Sequence, residues 1–387
     1  MTGSARSGSL TRLALARQLV EDGLLTDIGW RGAVEAVPRE SFIGAAIFRP
    51  TEDGEDGAVW KPLRRRDLNE TDWLRLAYTD ETWITQVDGV LATDAPGSVT
   101  GHPTSSSTSP GLVVRMLEAA GIGDGDKVLE VGTGTGYSTA LLCHRLGDEA
   151  VTSVEYDPAV ATRARAAIAA EGFSPTLVTG DGLEGYEKNA EYDRLIATCA
   201  VRFIHPAWIW QVRDGGTITT PLWGWMNGTA LAHLTLGDDG TASGRFCPCD
   251  VAFMNARPHG RPPRSSYLFG LGDERPTTIK PGILDNWTGC FVAQLGAPSA
   301  EKLGAGDEIV LLDVATGSQA STRRAESGGW TVRQHGPLRL WDAVEDAIAT
   351  WQRAGSPHQS AFGLTVTPVG QWVWLGDSGG PRWRLPV

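Results

Sequence analysis

The stretch KVLEVGTGTGY, residues 127–137, decides the fold of this chain. Its first half is a short run of β-branched and leucine residues, which is typical of a buried strand. Its second half places three glycines, Gly132, Gly134 and Gly136, directly after that strand. Glycines at a strand end let the chain turn sharply and let a ligand lie against bare backbone at the start of a helix. We therefore predict a ligand-binding turn here, although tight packing or a dinucleotide site would also account for such a turn alone.

Short β-branched runs alternate with helical stretches around this turn, a pattern typical of parallel strands joined by crossover helices. The predicted strands cover 127–131, 151–155, 176–179, 194–198 and 217–220. A helix after the second strand is marked by Asp157 at its N-cap, Pro158 at its first position and Gly172 after its end. Two alternating segments, 229–236 and 246–253, predict an antiparallel hairpin at the sheet edge. The predicted fold class is α/β, a doubly wound, Rossmann-like sheet with an antiparallel edge hairpin.

Composition divides the chain into four segments. Segment 1–100 is predicted to hold a helix capped by Ser9, a second helix near 30–37, and an irregular insertion after Arg49. Segment 101–257 is the α/β core, and 258–275, which begins PHGRPPRSS, has the Pro and Gly density of a linker. Segment 276–387 is predicted to be a smaller α+β domain. Its expected strands cover 308–314, 330–333, 362–366 and 372–375, and its expected helix covers 338–353.

Charge and composition exclude several classes of function. The chain has 34 Lys and Arg against 46 Asp and Glu, a net charge of −12, so nucleic acid and membrane surfaces are not expected partners. It lacks a secretory signal and an apolar run of the ~20 residues that span a membrane, so we expect a cytoplasmic protein. Among the five cysteines only Cys247 and Cys249 are close together. This scatter favours reduced thiols, and we expect no metal site.

Two further strand ends narrow down the ligand of the glycine turn. Glu155 ends the second strand, roughly twenty residues after the glycines, where a carboxylate can accept hydrogen bonds from both hydroxyls of a ribose. Asp181 and Gly182 end the third strand, and an acceptor there suits the amino group of an adenine. The turn has no Lys or Arg and no GK[ST] sequence to meet a phosphate. A ligand with adenine and ribose but no phosphate is S-adenosylmethionine, which we predict as the cofactor, with S-adenosylhomocysteine as its product.

A series of further motifs follows in a specific order. They are VPRESFI (37–43), TSPGLVVRML (108–117), VLEVGTGTGY (128–137), SVEYDP (153–158), GDGLEGY (180–186), YDRLIATCA (192–200), IHPAW (204–208) and QVRDGGTITTP (211–221). Block by block, they resemble the protein-L-isoaspartate O-methyltransferase family over about residues 10–253. The glycine turn is common to many methyltransferases, whereas VPRESF and the Ser/Thr-rich segment before Pro110 make the resemblance specific. The resemblance implies a class I S-adenosylmethionine-dependent methyltransferase fold.

The resemblance also implies which residues form the site. The expected cofactor-binding residues are those of the glycine turn and the next two strand ends: Gly132, Thr133, Gly134, Gly136, Glu155, Asp181 and Gly182. The family's substrate-contacting hydroxyl falls on Thr108, where the family usually has Ser. Rival hydroxyls surround it, on Ser105, Ser106, Ser107 and Ser109, and for each of them capping of the next helix is the alternative role. We take Thr108, Ser107 and Ser106 as candidate catalytic residues, and Ser109 and Arg202 as candidate substrate contacts.

The expected chemistry asks little of side chains. A carboxylate with a pKa near 4 is ionised at neutral pH, so methylating it requires no general base. The site has to align the carboxylate with the methyl group and to exclude water, while hydroxyl and backbone donors hold the oxygen that does not attack.

The chain also resembles the long actinobacterial homologues associated with the maturation of ribosomal peptides such as graspetides, lanthipeptides and lasso peptides. That resemblance implies methylation of one Asp of a precursor peptide, after which the ester cyclises to an aspartimide. Repair-type methylation of isoaspartyl residues in damaged proteins is the alternative. In both cases the partner is a peptide or protein substrate.

Two other classes of function are disfavoured. The sequence GDSGGP, residues 376–381, copies the nucleophile segment of chymotrypsin-like proteases, but the His segment of those enzymes is not visible upstream. A peptide-binding protein with an inactive methyltransferase core is disfavoured because Glu155 and Asp181 are both present.

Overall fold

The structure is a computed structural model that describes residues 3–51, 58–263 and 266–386. The chain divides into two compact units. The first contains Met1–Thr198 and Gln211–Gly216, and the second contains Cys199–Trp210 and Thr217–Val387. The four segments suggested by composition are a different division of the chain, and they stay a prediction. Within the described ranges, no helix has both the length and the apolar character needed to cross a bilayer.

The first unit combines helices with one parallel and one antiparallel sheet. Its helices are α1 (Gly3–Glu21), α2 (Ile28–Ala36), α3 (Arg39–Ile43), α4 (Glu70–Ala77), α5 (Pro110–Ala119), α6 (Tyr137–Leu146) and α7 (Pro158–Ala170). Its strands are β1 (Ala46–Thr51), β2 (Val59–Arg64), β3 (Trp83–Val87), β4 (Val90–Leu91), β5 (Val99–Thr100), β6 (Pro103–Ser107), β7 (Val128–Val131), β8 (Val151–Glu155), β9 (Thr176–Thr179) and β10 (Tyr192–Ala197).

The parallel sheet has the strand order β10-β7-β8-β9 and confirms the predicted alternation of strands and helices. Helix α6 connects β7 to β8, and α7 connects β8 to β9. The predicted start of α7 is confirmed, because the Asp157 side chain accepts hydrogen bonds from the backbone of Ala159 and Val160 at 2.8 and 3.1 Å. The carboxyl ends of β7, β8 and β9 are therefore placed side by side, where a ligand of this fold class binds.

The predicted irregular insertion after Arg49 is wrong for the described residues. Strands β1 to β6 form an antiparallel sheet in the order β4-β3-β1-β2-β5, with β6 also paired to β3. Its core contains Ala46, Phe48, Val87, Ala92 and Ala95. Charged and proline residues in β1 (AIFRPT) and β2 (VWKPLR) hide the alternation of apolar side chains. Pairing between strands, which is a tertiary property, overrides these weak local signals.

The N-terminal helices agree only in part with the sequence prediction. Helix α1 already begins at Gly3, so Ser9 lies inside the helix and the predicted cap is wrong. The preference of serine for a cap is a weak local tendency, which a longer helix overrides. The second predicted helix is confirmed by α2.

The second unit contains two antiparallel sheets. Helix α8 (Pro206–Gln211) and strand β11 (Val212–Trp223) contain residues of both units. The further strands and helices are β12 (Thr229–Leu236), β13 (Ala242–Phe246), β14 (Asp273–Thr277), α9 (Trp287–Gly296), β15 (Ala300–Ala305), β16 (Glu308–Asp313), β17 (Gln319–Arg324), β18 (Trp330–His335), α10 (Leu340–Arg353), β19 (Phe362–Thr367), β20 (Gly370–Leu375) and β21 (Arg382–Arg384). One sheet has the order β21-β20-β19-β13-β12-β11 and the other β14-β18-β17-β16-β15.

The sequence predicts most of the second unit correctly and one strand wrongly. The expected strands and helix after residue 300 are confirmed by β16, β18, β19, β20 and α10. The hairpin partner of β12 is β13, with Ala232 opposite Phe246, so the predicted strand over 246–253 is wrong. The turn after β12 is short, with Gly240 at φ +74°, and Pro248 lacks the N–H that a central strand needs. The strand therefore lies earlier in the chain than its apolar residues suggest.

Candidate active site

The glycine turn after β7 adopts a backbone conformation that only glycine accepts readily. Gly132, Gly134 and Gly136 have φ values of +98°, +56° and +93°, and Gly136 is the N-cap of α6. A Cβ atom on Gly134 would lie 3.7 Å from the backbone oxygen of Ser106. The turn therefore lies against the Ser/Thr-rich segment 103–109, so the structure brings two of the predicted parts of the site together.

The carboxylate of Glu155, at the end of β8, is held by backbone amides. Its Oε2 atom accepts a hydrogen bond of 2.8 Å from the N–H of Gly134, and its Oε1 atom accepts one of 3.0 Å from the N–H of Asp157. A carboxylate oxygen has two lone pairs, so each oxygen can accept a second hydrogen bond. This arrangement fixes the direction of the carboxylate at the end of β8.

The turn that follows β9 lies against the end of β7. A Cβ atom on Gly182 would come within 2.4 Å of Cγ1 of Val131, so only glycine fits at this position. The preceding Asp181 accepts a hydrogen bond of 2.9 Å from the N–H of Leu183 through Oδ1, which orients its carboxylate. The expected adenine-binding pair is thus close to the glycine turn, as the sequence predicts.

Thr133 joins the turn to a buried network that the sequence analysis missed. Its hydroxyl is 2.6 Å from that of Ser153, which in turn donates to Glu130 at 2.7 Å. Glu130 is fully buried and also accepts hydrogen bonds from Ser138 and Thr139 at the start of α6. Burial raises the pKa of Glu130 above its usual range, and the three hydroxyl groups oppose this shift. A charged residue inside the apolar run VLEV is the signal that could have identified it.

The Ser/Thr-rich segment is strand β6 and the two residues that follow it. Ser107 is 1% exposed, and its hydroxyl has no hydrogen-bond partner within the described part of the chain. In contrast, the hydroxyl of Ser105 accepts a hydrogen bond of 3.2 Å from Thr85. The side chains of Ser106 and Thr108 are half-buried. An unpaired buried hydroxyl is rare in proteins and calls for an explanation, and Ser107 is therefore the strongest structural candidate for a group that awaits a ligand.

The start of α5 is capped by Asp80 rather than by a hydroxyl of this segment. The Ser109 side chain makes no capping hydrogen bond, and its backbone N–H donates to the Thr82 hydroxyl at 3.0 Å. The N–H of Gly111 donates to Oδ1 of Asp80 at 2.7 Å. Capping therefore does not explain the side chain of Ser109, whose contact with a substrate stays a prediction.

Arg39, in the VPRESF motif, is a further residue of the site whose role the sequence did not reveal. It is fully buried and donates hydrogen bonds to the carbonyl oxygens of Ser107 and Thr108 at 3.2 and 3.1 Å. Burial lowers the pKa of Arg39 to about 10, so it stays protonated at neutral pH. The motif that made the resemblance specific is thus hydrogen-bonded to the backbone of the residues that carry the candidate catalytic hydroxyls.

Arg202 lies in the second unit, where its guanidinium contacts other residues of that unit. Its Nη2 atom donates to the carbonyl of Pro298 at 3.0 Å, and its guanidinium lies 3.5 Å from the centre of the Trp225 ring. Burial lowers its pKa to about 10. Its predicted contact with a substrate carboxylate stays a prediction.

Two motifs outside the cofactor site have structural explanations. GDSGGP forms the turn between β20 and β21, where the backbone N–H of Gly380 donates to the carbonyl of Asp377 at 2.9 Å. Over the described ranges, no group of three His, Cys, Asp or Glu side chains is arranged to bind a metal. Cys247 and Cys249 form no disulfide within the described residues.

Comparison with known proteins identifies relatives that all carry the same family description. The family model described as protein-L-isoaspartate(D-aspartate) O-methyltransferase matches residues 75–244. A protein-L-isoaspartate O-methyltransferase of Ignicoccus hospitalis is 40% identical over 117 residues, which cover 30% of this chain and 56% of that protein. A protein of the same name from Koribacter versatilis is 34% identical over 166 residues, covering 41% of this chain and 72% of its own. The chain thus spans little more than half of the first relative.

One solved structure, of a protein-L-isoaspartate O-methyltransferase, matches with a TM-score of 0.56 at 18% identity. The match covers 95% of this chain and 100% of that one. At this identity the likeness concerns the fold alone, and it confirms the predicted α/β class. It also shows that the region beyond the family-model match has a counterpart in a known fold.

Proposed function

The chain belongs to the protein-L-isoaspartate O-methyltransferase family, and on this premise we propose that it transfers a methyl group from S-adenosylmethionine to the free α-carboxylate of an isoaspartyl residue. The observation that carries the proposal is the hydrogen bond from Gly134 to Glu155, which joins two strand tips into one site. The Ser/Thr-rich segment lies against the same turn, through the carbonyl of Ser106. A nucleoside site and a set of hydroxyls are therefore adjacent, as methyl transfer to a bound carboxylate requires.

The residues present fit S-adenosylmethionine. The left-handed glycines leave bare backbone beside the turn, and backbone amides orient the Glu155 carboxylate, the group type that accepts hydrogen bonds from the hydroxyls of a ribose. Asp181 accepts a hydrogen bond through Oδ1, and its Oδ2 makes no hydrogen bond within the described residues, so it is available to an adenine amino group. When bound, the cofactor supplies a methyl group activated by its sulfonium charge.

The reaction places modest demands on the protein. A substrate carboxylate is already ionised at neutral pH, so its oxygen can attack the methyl carbon without a general base. A new C–O bond forms, the S–C bond breaks, and its electron pair stays on sulfur. In this proposal the hydroxyls of Ser107 and Thr108 hold the oxygen that does not attack, and the site aligns the reacting atoms. None of the five cysteines forms a disulfide within the described residues, which supports the cytoplasmic location predicted from the sequence.

The test measures methyl transfer to a synthetic isoaspartyl peptide. Its two readouts are the formation of S-adenosylhomocysteine and the mass gain of one methyl group on the peptide. The matched control is the same peptide with a normal aspartyl residue. We expect turnover of the isoaspartyl peptide only. Tight binding of S-adenosylhomocysteine together with no turnover of any carboxylate peptide would contradict the proposal.

A second candidate is methylation of one Asp in a ribosomally made precursor peptide, with the ester then closing to an aspartimide. In the second of these two steps, the neighbouring backbone nitrogen attacks the ester carbonyl and methanol leaves. The length of the chain beyond residue 244 favours this candidate, but a counterpart of most of the chain in the solved relative weakens that argument. A gain of one methyl group followed by loss of methanol, seen by mass spectrometry on an aspartyl precursor peptide but not on the isoaspartyl peptide, would favour it over repair.

A further inference from the structure

A single buried guanidinium joins three separate parts of the first unit. Nη1 of Arg39 donates to the carbonyls of Ala77 and Thr79, both at 2.8 Å. Nη2 donates to the carbonyls of Glu81, Ser107 and Thr108 at 2.7, 3.2 and 3.1 Å. The side chain thus connects α3 to the end of α4, to the start of β3 and to the candidate catalytic segment.

Burial of the charged Arg39 guanidinium lowers the stability of the fold unless other groups compensate its charge. Arg39 is 0% exposed, and its hydrogen bonds go to backbone carbonyls, while the carboxylates of Asp80 and Glu81 act on its charge through space. Burying a charge without a counter-ion is unfavourable, and a well-packed apolar residue is often the more stable solution. Five carbonyl dipoles, together with the nearby charges of Asp80 and Glu81, compensate the charge here. What an apolar residue could not do is orient carbonyl groups from three segments at the same time.

The orientation of those carbonyls determines what the catalytic segment presents on its other side. In a trans peptide the C=O and N–H groups point in opposite directions. Because the Ser107 carbonyl points to Arg39, the N–H of Thr108 points away from it. The same backbone carries the unpaired Ser107 hydroxyl and, through the Ser106 carbonyl, lies against Gly134 of the glycine turn. Arg39 therefore sets the direction of donors on the segment next to the cofactor turn.

We infer that Arg39 is a positioning residue for the substrate carboxylate, acting through Ser107 and Thr108 without touching the substrate. This inference rests on the proposed function, because it assumes that the Ser/Thr-rich segment 103–109 binds the carboxylate that is methylated. Loss of the guanidinium fork should displace the segment. It should leave intact the cofactor cradle, which is the expected cofactor site formed by Gly134, Glu155 and Asp181. A displacement of about 1 Å at a reacting group can lower a rate on the order of 100-fold.

The test compares Arg39→Lys and Arg39→Gln with wild type and with the matched surface changes Arg31→Lys and Arg31→Gln. Arg31 is exposed and pairs with Glu35 one helical turn away. A lysine keeps the charge but has no planar fork, so it cannot reach five carbonyls. Melting temperature, S-adenosylhomocysteine affinity, and kcat and KM for the isoaspartyl peptide are measured for each variant.

We expect the Arg39→Lys variant to bind S-adenosylhomocysteine within about twofold of wild type, while kcat/KM falls by roughly 10- to 100-fold, mostly through kcat. Ethylguanidinium, but not ethylammonium, should restore part of the activity of an Arg39→Ala variant. Wild-type kcat/KM in Arg39→Lys would overturn the inference. So would an equal loss of S-adenosylhomocysteine affinity and activity, since that pattern indicates a general structural role.

A further variant covers the case in which the Arg39 changes do not fold. The exposed Thr82 hydroxyl accepts the Ser109 N–H from the other end of the segment, so Thr82→Val loosens the same backbone without a buried charge. Unchanged kcat/KM in Thr82→Val would overturn the inference, because anchoring of the segment would then not matter. Failure of the proposed function is distinguishable, since in that case the wild-type protein itself would not methylate the peptide.

Discussion

The backbone N–H of Gly134 lies 2.8 Å from Oε2 of Glu155, and this hydrogen bond joins the glycine turn to the end of the next strand. The two residues are 21 positions apart in the chain. Their contact orients the carboxylate that is expected to meet the ribose of the cofactor.

Glu155→Gln should weaken S-adenosylhomocysteine binding by roughly 10- to 100-fold. The amide retains one oxygen, but its NH2 group cannot accept the backbone N–H that faces the other oxygen of the carboxylate. One hydrogen bond is therefore lost, and the remaining one no longer involves a charged group. Isothermal titration calorimetry measures the affinity. The exposed Glu149→Gln is the control, and equal affinities in the two variants would contradict the assigned role of Glu155.

Gly182→Ala should disturb the adenine side of the site. The new methyl group would lie 2.4 Å from Cγ1 of Val131, a stiff β-branched side chain in the core, so the turn after β9 must move away from the end of β7. We expect a loss of about 1–3 kcal/mol in the free energy of unfolding and weaker cofactor binding. Gly180→Ala is the matched control, because nothing lies within 4 Å of a Cβ at that position. Equal free energies of unfolding and equal cofactor affinities in the two variants would refute the steric argument.

Ser107→Ala separates a structural hydroxyl from a functional one. Removing a buried hydroxyl without a partner should not lower the free energy of unfolding. If the hydroxyl holds the substrate carboxylate, kcat/KM should nevertheless fall by about 10-fold, one good hydrogen bond being worth about 1–1.5 kcal/mol. Thr108→Val tests the rival hydroxyl with the same assay. An active Ser107→Ala variant beside an inactive Thr108→Val variant would assign the contact to Thr108.

Glu130 should make the stability of the protein depend on pH. Burial raises its pKa above the ordinary value of 4.5, so between 4.5 and the raised pKa the folded state binds more protons than the unfolded chain. The free energy of unfolding should therefore fall as pH rises through this window, by at most about 1.4 kcal/mol per pH unit from this group. Glu130→Gln should remove that slope in denaturant titrations at several pH values, whereas an unchanged slope would show that other groups cause it.

Ser378, in the GDSGGP turn, should have no catalytic role. Its neighbours complete a tight turn, with the N–H of Gly379 donating to Oδ1 of Asp377 at 2.9 Å. In the part of the chain described by the structure, no hydrogen bond links Ser378 to a histidine that could activate it. Ser378→Ala should change the free energy of unfolding by less than about 0.5 kcal/mol and leave methyl transfer intact. Labelling of Ser378 by a serine-directed phosphonate would contradict this view.

The sequence alone determined the parts of the molecule that depend on local patterns. Apolar runs, a capped helix and glycines at a strand end predict β7, β8, β9 and α7 within a residue or two, because these signals act over a few positions. The order Gly134, Glu155, Asp181 then predicts the cofactor cradle, since parallel strands bring their carboxyl ends to one edge.

Only the tertiary structure decided which side chains meet across long separations. Arg39 and Thr108 are 69 positions apart, and no local pattern indicates that the guanidinium holds that carbonyl. The burial of Glu130 and the unpaired hydroxyl of Ser107 are likewise properties of packing rather than of spacing. The strands after Arg49 were missed for the same reason, because strand pairing there is stabilised by a shared core and not by a clear alternation of residues.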